Sequence, residues 1–242
     1  MWSTLSPLLR RLPGRRFVRL LRQALQGGDA RTSALLRLSR PKNLFQPFGT
    51  TAEDRYPGIF EMVRAVVGDG PERRVLSFGC ATGEEVFSLR RHFARAEIEG
   101  VDISAARIIE ARSRLERQGG DSGIRFAVAS SAETMPTNSF DAIFAMAVFR
   151  HGELGDRPER CDHRLRFADF ERTVTDLARC LKPGGLLSIR HANFRFRDTA
   201  VASEFDTLAS RPANPDTPVY GADDRLLPHH PDEPVVFRKR PS

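Results

Sequence analysis

Apolar and polar positions along this chain repeat with two alternating periods. From Arg74 to about residue 192, short apolar runs typical of buried strands alternate with segments whose apolar residues recur at helical spacing. The pattern predicts strands at 74–78, 97–102, 124–129, 140–148 and 186–192, and helices at 84–94, 105–118 and 167–181. Because helices stand between most of these strands, we expect right-handed βαβ crossovers and a parallel sheet covered on both faces.

The flanking segments extend this pattern at both ends. A helix is predicted at 58–68, a further helix over 199–205, and two final strands near 205–209 and 234–240. The predicted fold class is α/β, a Rossmann-like, doubly wound and mostly parallel seven-stranded sheet with helices on both faces. Six prolines mark 211–234 as a long loop or lid. We divide the chain into an N-terminal arm and lid segment, 1–57, and an α/β domain, 58–242.

The arm contains a basic amphipathic helix at 15–26, between Pro13-Gly14 and Gly27-Gly28. Its apolar residues fall on one side and its arginines on the other. Such a helix docks on its own domain, packs on a partner protein or lies on an anionic membrane surface, and the sequence leaves these alternatives open. An organelle transit peptide would share the same arginine-rich composition.

The formal charge of +7 belongs to the arm. Residues 1–42 hold ten Lys and Arg against one acid, whereas the rest of the chain holds 28 basic and 30 acidic residues. A nearly neutral body makes nucleic acid an unexpected partner. No apolar run approaches the roughly 20 residues of a membrane-spanning helix, and three scattered cysteines favour a reducing compartment. We therefore expect a cytoplasmic protein, with any peripheral membrane contact made by the 15–26 helix.

The turn after the first strand, "GCATG" at 79–83, is the candidate cofactor loop. Gly79 and Gly83 allow backbone to approach a ligand without an intervening side chain. Asp102 ends the second strand at about the spacing that places a carboxylate on a ribose diol. These features predict a cofactor that contains adenosine.

Two kinds of adenosine cofactor are distinguished by the residues that follow. A dinucleotide needs the G-x-G-x-x-G pyrophosphate loop, but Ala81 occupies the second glycine position and Glu84 the third. Glu84 and Glu85 would also repel a pyrophosphate at this helix N-terminus, and they suit a cationic sulfonium cofactor.

The span from Val75 to about Phe196 resembles the class I S-adenosylmethionine-dependent methyltransferases. The resemblance rests on the glycine loop, on "SFDAIFAMAVFRH" with the helix after it, and on "LARCLKPGGLLSIRH". The run "GCATGEEVFSL" is similar to the first motif of chemotaxis-receptor methyltransferases. The resemblance implies S-adenosylmethionine as the cofactor.

The resemblance also implies which residues hold that cofactor. Its methionine and ribose portion would be lined by the loop residues Gly79, Cys80, Ala81, Thr82 and Gly83. Asp102 would bind the ribose hydroxyls, and Ile103 would lie against adenine. The edge of the adenine would lie near Ser131, Ala132 and Glu133, and the floor of the site would be closed by Ala145 and Met146. Ser131 stands where the family often carries an acid.

The implied activity is methyl transfer by in-line displacement to a small-molecule, lipid-linked or glycan-linked acceptor. Protein glutamate methylation is an alternative suggested by the first motif. A non-catalytic adenosyl-binding module that docks through the arginine helix is a second alternative.

Residues after the fourth strand are expected to meet the acceptor. Arg150 and His151 are the candidate catalytic residues, with His151 as the general base for a hydroxyl or amine acceptor. His191 and Asn193, near the end of the fifth strand, are further candidates for substrate contact.

Other conspicuous residues are assigned to packing. Cys80 is expected to be a small packing residue beside the cofactor rather than a nucleophile. We expect Phe45, Phe48 and Tyr56 to pack in the core. The alternative is that these aromatic residues form a lid over the cofactor. The histidines and cysteines lack metal-ligand spacing, so no metal site is predicted.

Overall fold

A seven-stranded β-sheet runs through the centre of the structure, a computed structural model that describes residues 25 and 27–241. The strands are β1 Arg74–Phe78, β2 Glu97–Asp102, β3 Ile124–Val128, β4 Phe140–Met146, β5 Leu181–Arg190, β6 Phe205–Pro212 and β7 Asp232–Lys239. Their order across the sheet is β3-β2-β1-β4-β5-β7-β6. β7 runs antiparallel to both of its neighbours, β5 and β6, and the other described pairings are parallel. The predicted mostly parallel, doubly wound sheet is confirmed.

Helices pack on both faces of this sheet. They are α1 Gly28–Ser39, α2 Pro57–Val67, α3 Glu84–His92, α4 Ala105–Arg117 and α5 Phe167–Cys180, with short 3-10 helices at Gly152–Leu154, Phe196–Asp198 and Ala200–Glu204. The basic helix predicted at 15–26 lies, apart from Leu25, outside the described residues.

The two faces of the sheet bury different hydrophobic clusters. In β1, Val75 packs in the cluster that includes α2, α3 and α4, whereas its neighbour Leu76 packs in the cluster that includes α5. All seven residues of β4 are buried. Strands that are covered on both faces have nearly continuous apolar sequences, and β1 and β4 could be predicted for this reason.

Two elements differ from the prediction by more than a few residues at a boundary or in their type. The fifth strand begins at Leu181 rather than at residue 186, because the chain becomes extended at the end of α5 and Leu181 already pairs with Phe140. The pairing register then shifts between Phe140 and Ala142 of β4, which accommodates the extra residues of the Pro-Gly-Gly turn in β5. The segment predicted as a helix over 199–205 forms only the short 3-10 helix Ala200–Glu204.

The proline-rich loop packs against the domain between β6 and β7. Tyr220 within it is fully buried and forms isolated bridges to Phe194 and Leu226. Asn193 donates from Nδ2 to the Pro218 carbonyl at 2.6 Å. These contacts fix the loop at its middle.

Asp141, at the start of β4, joins three elements through one buried carboxylate. Its Oδ1 accepts from Arg73 Nη1 at 3.0 Å. Its Oδ2 accepts from the Arg74 backbone N–H at 2.9 Å and from Lys182 Nζ at 2.7 Å. Burial alone would raise the pKa of Asp141, but the hydrogen bonds from Lys182, Arg74 and Arg73 lower it.

Asp141→Asn should lower the free energy of unfolding by about 1–3 kcal/mol at pH 7, because a buried carboxylate with charged partners is lost. Since folding lowers the pKa of Asp141, its contribution is present above the unfolded value of about 3.9 and is lost as the pH falls through the folded value. Urea unfolding of both proteins between pH 3 and pH 7 measures this.

The matched control is Asp206→Asn. Asp206 pairs with Arg240 at 2.7 Å, and both side chains are more than half exposed. Its removal should change stability by at most about 0.5 kcal/mol. Equal effects of the two substitutions would contradict the role assigned to Asp141.

Candidate active site

A cavity of about 260 Å³ opens where the winding of the sheet reverses, at the carboxyl ends of β1, β2 and β4. This is the place where open parallel sheets bind their ligands. The segment 43–56, called the cover below, supplies a further part of the cavity wall. The wall therefore combines the predicted cofactor loop with part of the N-terminal arm.

The glycine loop forms the cavity wall after β1. The backbone N–H groups of Gly79 and Cys80 donate to the Val101 carbonyl at 2.8 and 2.9 Å, which fastens the loop to β2. A Cβ on Gly79, whose φ is 81°, would lie 2.5 Å from Val148 Cγ2. Ala81 adopts a φ of 48°, a left-handed conformation that explains why many such loops carry glycine there.

Asp102 holds this loop in place from the end of β2. Its Oδ2 accepts the Ala81 N–H at 3.0 Å and its Oδ1 accepts the Ser104 N–H at 2.8 Å. The side chain is 6% exposed and lines the cavity. Burial raises the pKa of Asp102, although both backbone hydrogen bonds and the charge of Arg107 oppose the shift. Each oxygen keeps a lone pair for a further donor.

The two glutamates at the start of α3 point to different places. Glu84 accepts from Thr82 Oγ1 at 2.8 Å and pairs with Arg114 at 3.3 Å. Glu85 instead lines the cavity and accepts from Ser77 Oγ at 2.7 Å. Burial raises the pKa of Glu85 to about 7. The cavity therefore contains two carboxyl groups, Asp102 and Glu85, on neighbouring parts of its wall.

Not every residue of the predicted cofactor set lines the cavity. Gly79, Cys80, Ala81, Asp102, Ile103 and Met146 do. Ala132 and Ala145 are fully buried in the core, and Thr82, Gly83, Ser131 and Glu133 lie outside the cavity wall. After β3 and β4 the lining positions are instead Ala129, Ser130, Ala147 and Val148. The turns predicted from the family resemblance therefore line the cavity, and the roles of Thr82, Gly83, Ser131, Ala132 and Ala145 toward a cofactor stay predictions.

The cavity is covered by aromatic residues of the segment 43–56. Phe45, Phe48 and Tyr56 all line it. Phe45 also packs edge-on against Phe149, with ring centroids 5.0 Å apart. The expectation of core packing is met for Phe45 and Tyr56, which belong to the two buried clusters, whereas Phe48 is half-buried; all three rings also line the cavity.

Arg107 of α4 anchors this cover, a role that the sequence analysis missed. Its Nη2 donates to the Pro47 carbonyl at 2.8 Å and to Ser33 Oγ at 3.2 Å. Its Nε donates to Asp29 Oδ1 at 3.0 Å. Only 4% of the side chain is exposed. One guanidinium therefore ties both α1 and the covering segment to the domain.

The two predicted catalytic residues are separated by the structure. Arg150 lines the cavity. His151 lines a neighbouring groove instead, and its Nδ1 accepts the Glu153 N–H at 3.2 Å. Burial lowers the pKa of His151 to about 4, so the ring is neutral at pH 7. His151 is not among the residues that line the cavity, although its ring lies 6.3 Å from that of Phe48, which does, so its role as a general base stays a prediction.

The candidates at the end of β5 also differ from each other. Asn193 is 1% exposed and is used structurally, since its Oδ1 accepts the His151 N–H at 2.7 Å while its Nδ2 binds Pro218. His191 lines a separate cavity beside Tyr56. Cys80 is buried, and burial raises the pKa of its thiol, which agrees with packing rather than nucleophilic attack.

Comparison with known proteins agrees with this geometry. The family model described as a methyltransferase domain matches residues 69–218, more than half of the chain. This chain belongs to the methyltransferase-domain family. The match covers β1 to β5, and so includes every strand end that lines the cavity.

Curated relatives of this methyltransferase domain match over part of their length. Trans-aconitate 2-methyltransferase of Deinococcus radiodurans is 28% identical over 151 residues, covering 60% of this chain and 50% of that protein. Demethylmenaquinone methyltransferase of Thermus thermophilus is 29% identical over 118 residues, covering 48% of this chain and 46% of that protein. The chain thus spans about half the length of these relatives.

Solved structures of low sequence identity share the fold. The (4+2)-cyclase SpnF superposes with a TM-score of 0.52 at 18% identity, covering 80% of this chain and 84% of that one. YcgJ from Bacillus subtilis gives a TM-score of 0.50 at 14% identity, covering 77% of this chain and 98% of that one. Because one of them is named a cyclase, the fold by itself does not determine the reaction.

Arg107→Met should loosen the cover of this methyltransferase domain. Losing three hydrogen bonds to a buried guanidinium costs about 1–3 kcal/mol of local stability, which is roughly a tenfold to hundredfold faster amide exchange. Hydrogen–deuterium exchange of peptides within 43–56 measures the effect.

Arg117→Met serves as the control on the same helix. Arg117 pairs only with exposed Glu110, at 2.9 Å, among the contacts described for it. It should leave the exchange of 43–56 unchanged. If both variants exchange at the wild-type rate, Arg107 is not the anchor.

Proposed function

We propose that this protein is an S-adenosylmethionine-dependent methyltransferase that acts on a small-molecule, lipid-linked or glycan-linked acceptor. The observation that carries the proposal is the cavity at the β1–β4 switch point, where Asp102 and Glu85 place two carboxyl groups beside the glycine loop. Family membership and relatives named trans-aconitate and demethylmenaquinone methyltransferases support it.

The residues present fit this cofactor in three ways. Asp102 has one lone pair on each oxygen directed away from its backbone partners, as a ribose diol requires. The absence of a side chain at Gly79 keeps backbone accessible next to Val148. Glu85 offers a carboxylate to a cationic ligand, whereas Glu84 is already paired with Arg114. An acidic wall of this kind would oppose a pyrophosphate.

When bound, S-adenosylmethionine supplies an electrophilic methyl group on a cationic sulfonium. The protein's own contribution is to align an acceptor with that group and to exclude water. Phe45, Phe48 and Tyr56 provide the water-excluding cover. Arg150 lines the cavity after β4 and is positioned to contact the acceptor. His151 lines the neighbouring groove, so an acceptor such as a carboxylate, which needs no general base, is the simplest one for this site.

Two narrower hypotheses remain part of the proposal. Protein carboxyl methylation rests on the likeness of "GCATGEEVFSL" to chemotaxis-receptor methyltransferases, and base-labile methyl esters on protein after incubation with labelled cofactor would support it. Docking of the 15–26 helix on an anionic membrane or a partner rests on its charge, and recovery with anionic vesicles before and after removal of residues 1–28 tests it. Across residues 25 and 27–241, the helices are too short or too polar to cross a membrane.

Calorimetry with the intact chain tests the cofactor assignment. We expect S-adenosylmethionine to bind and Asp102→Asn to weaken binding by about tenfold or more, because hydrogen bonds to a charged acceptor contribute about 1.5–3 kcal/mol. Asp69→Asn is the control, since Asp69 also accepts two backbone N–H groups but lies away from the cavity. Binding of NAD without binding of S-adenosylmethionine would refute the proposal.

The two glutamates give a matched pair for a pH test. Because the pKa of Glu85 is raised to about 7, its carboxyl group is mostly neutral at pH 6 and mostly ionised at pH 7.5. Affinity for the cationic cofactor should therefore rise about tenfold over that interval in the wild type. Glu85→Gln should abolish the rise and Glu84→Gln should retain it. An identical pH dependence in all three proteins would exclude Glu85 as the titrating group.

A further inference from the structure

A second cavity, of about 320 Å³, adjoins the first at the carboxyl end of β5. Its wall is formed by the first turn of α2, the end of β5 and the end of β6. Arg55 and Tyr56 line both cavities, so the two spaces meet at these residues. The remaining charged groups of its wall are Arg190 and Arg211.

The three arginines of this cavity differ from most others in the described chain, which pair with acids. Arg190 Nε contacts His191 Nε2 at 3.4 Å, and Arg211 Nη1 donates to the Ser210 carbonyl at 3.0 Å. The Arg55 guanidinium carbon lies 5.3 Å from the centre of the Tyr56 ring. None of the three has a carboxylate oxygen of residues 25 and 27–241 within 4.0 Å, the distance that defines an ion pair.

Two acids, Glu233 and Glu85, lie near the three arginines of this cluster. Glu233 faces Arg211 across the β6–β7 ladder, but its Oε1 accepts the His191 N–H at 2.6 Å. Burial raises the pKa of Glu233, so its charged form is disfavoured. Glu85, in the wall of the first cavity, interacts electrostatically with Arg55, and its pKa of about 7 leaves it partly protonated near pH 7. Positive charge therefore dominates the second cavity.

Two buried polar atoms in the same wall have no hydrogen-bond partner among the described residues. They are Tyr56 Oη and His191 Nδ1, and each side chain is only 9% exposed. A buried donor or acceptor without a partner costs about 1–3 kcal/mol, so such atoms commonly serve a ligand. Burial raises the pKa of Tyr56 to about 12 and lowers that of His191 to about 4, so both side chains are neutral. A protonated Tyr56 hydroxyl is a donor for an anionic oxygen.

We propose that this cavity binds an anionic oxygen group, a carboxylate or a phosphate, of the methyl acceptor. Arg55, Arg190 and Arg211 would hold the charged group, and Tyr56 would donate to it at the boundary with the first cavity. The acceptor is then an anionic small molecule whose charged end lies in the second cavity and whose methylated atom reaches the first. Its assignment as an acceptor site rests on the proposed function, whereas anion binding itself does not.

Calorimetry at constant ionic strength tests the site with citrate and inorganic phosphate as probes, on the full chain with and without S-adenosylhomocysteine. We expect at least one probe to bind. Arg190→Gln and Arg211→Gln should each weaken binding about tenfold, because each removes a charge-assisted hydrogen bond. Arg211→Lys should retain most of it. Both Gln variants should bind S-adenosylhomocysteine within about twofold of wild type, which shows that they are folded.

Arg64→Gln is the matched control, an exposed arginine of α2 that does not line the cavity. It should bind both probes like the wild type. Preference for citrate identifies a carboxylate site, and preference for phosphate identifies a phosphate site. Binding of neither probe, or equal binding by all variants, overturns the inference. Anion binding without binding of S-adenosylhomocysteine would support this site and contradict the proposed function.

Discussion

The hydrogen bond from the Ala81 N–H to Asp102 is the contact on which the cavity depends most directly. A residue with a Cβ pays roughly 1–2 kcal/mol for the left-handed conformation that Ala81 adopts. The buried carboxylate offsets this strain and also holds the Ser104 N–H at the start of α4. One side chain therefore fixes both the turn after β1 and the exit from β2. The spacing between the two strand ends, and so the shape of the cavity, follows from it.

Local periodicity predicted most of the fold because parallel strands buried on both faces leave a strong apolar signal. The same signal weakens wherever structure depends on distant partners. Arg107 anchors the cover through Asp29 and Pro47, which lie 78 and 60 positions earlier in the chain. A buried arginine on a helix with three other arginines has no local sequence feature that distinguishes it. Its role follows only from the packing of α1 and the segment 43–56 against α4.

The sequence predicted the turns that line the cavity and several of their residues, Asp102 among them, but not the partners that each side chain takes. Glu84 and Glu85 are equivalent in sequence, but adjacent helical positions are about 100° apart, so one pairs with Arg114 and the other with Ser77. His151 follows β4 as a catalytic base would. Its ring Nδ1 instead accepts the Glu153 N–H, and its backbone N–H donates to Asn193, 42 residues later. Tertiary contacts of this kind leave no trace in local pattern.

Charge is distributed unevenly between the two adjoining cavities, and the distribution suits two ligands of opposite sign. Carboxyl groups of Asp102 and Glu85 lie at the proposed cofactor end, and arginines lie at the proposed acceptor end. Arg55 borders both cavities, and its charge favours ionisation of Glu85. An anion bound to Arg55 would weaken the effect of the arginine's charge on Glu85. A sulfonium beside Glu85 would supply a positive charge in its place. Binding of the anion and binding of the sulfonium should therefore favour each other. The sulfonium provides the positive charge beside Glu85 that the anion cancels on Arg55, and the anion provides the negative charge beside Arg55 that the sulfonium cancels on Glu85.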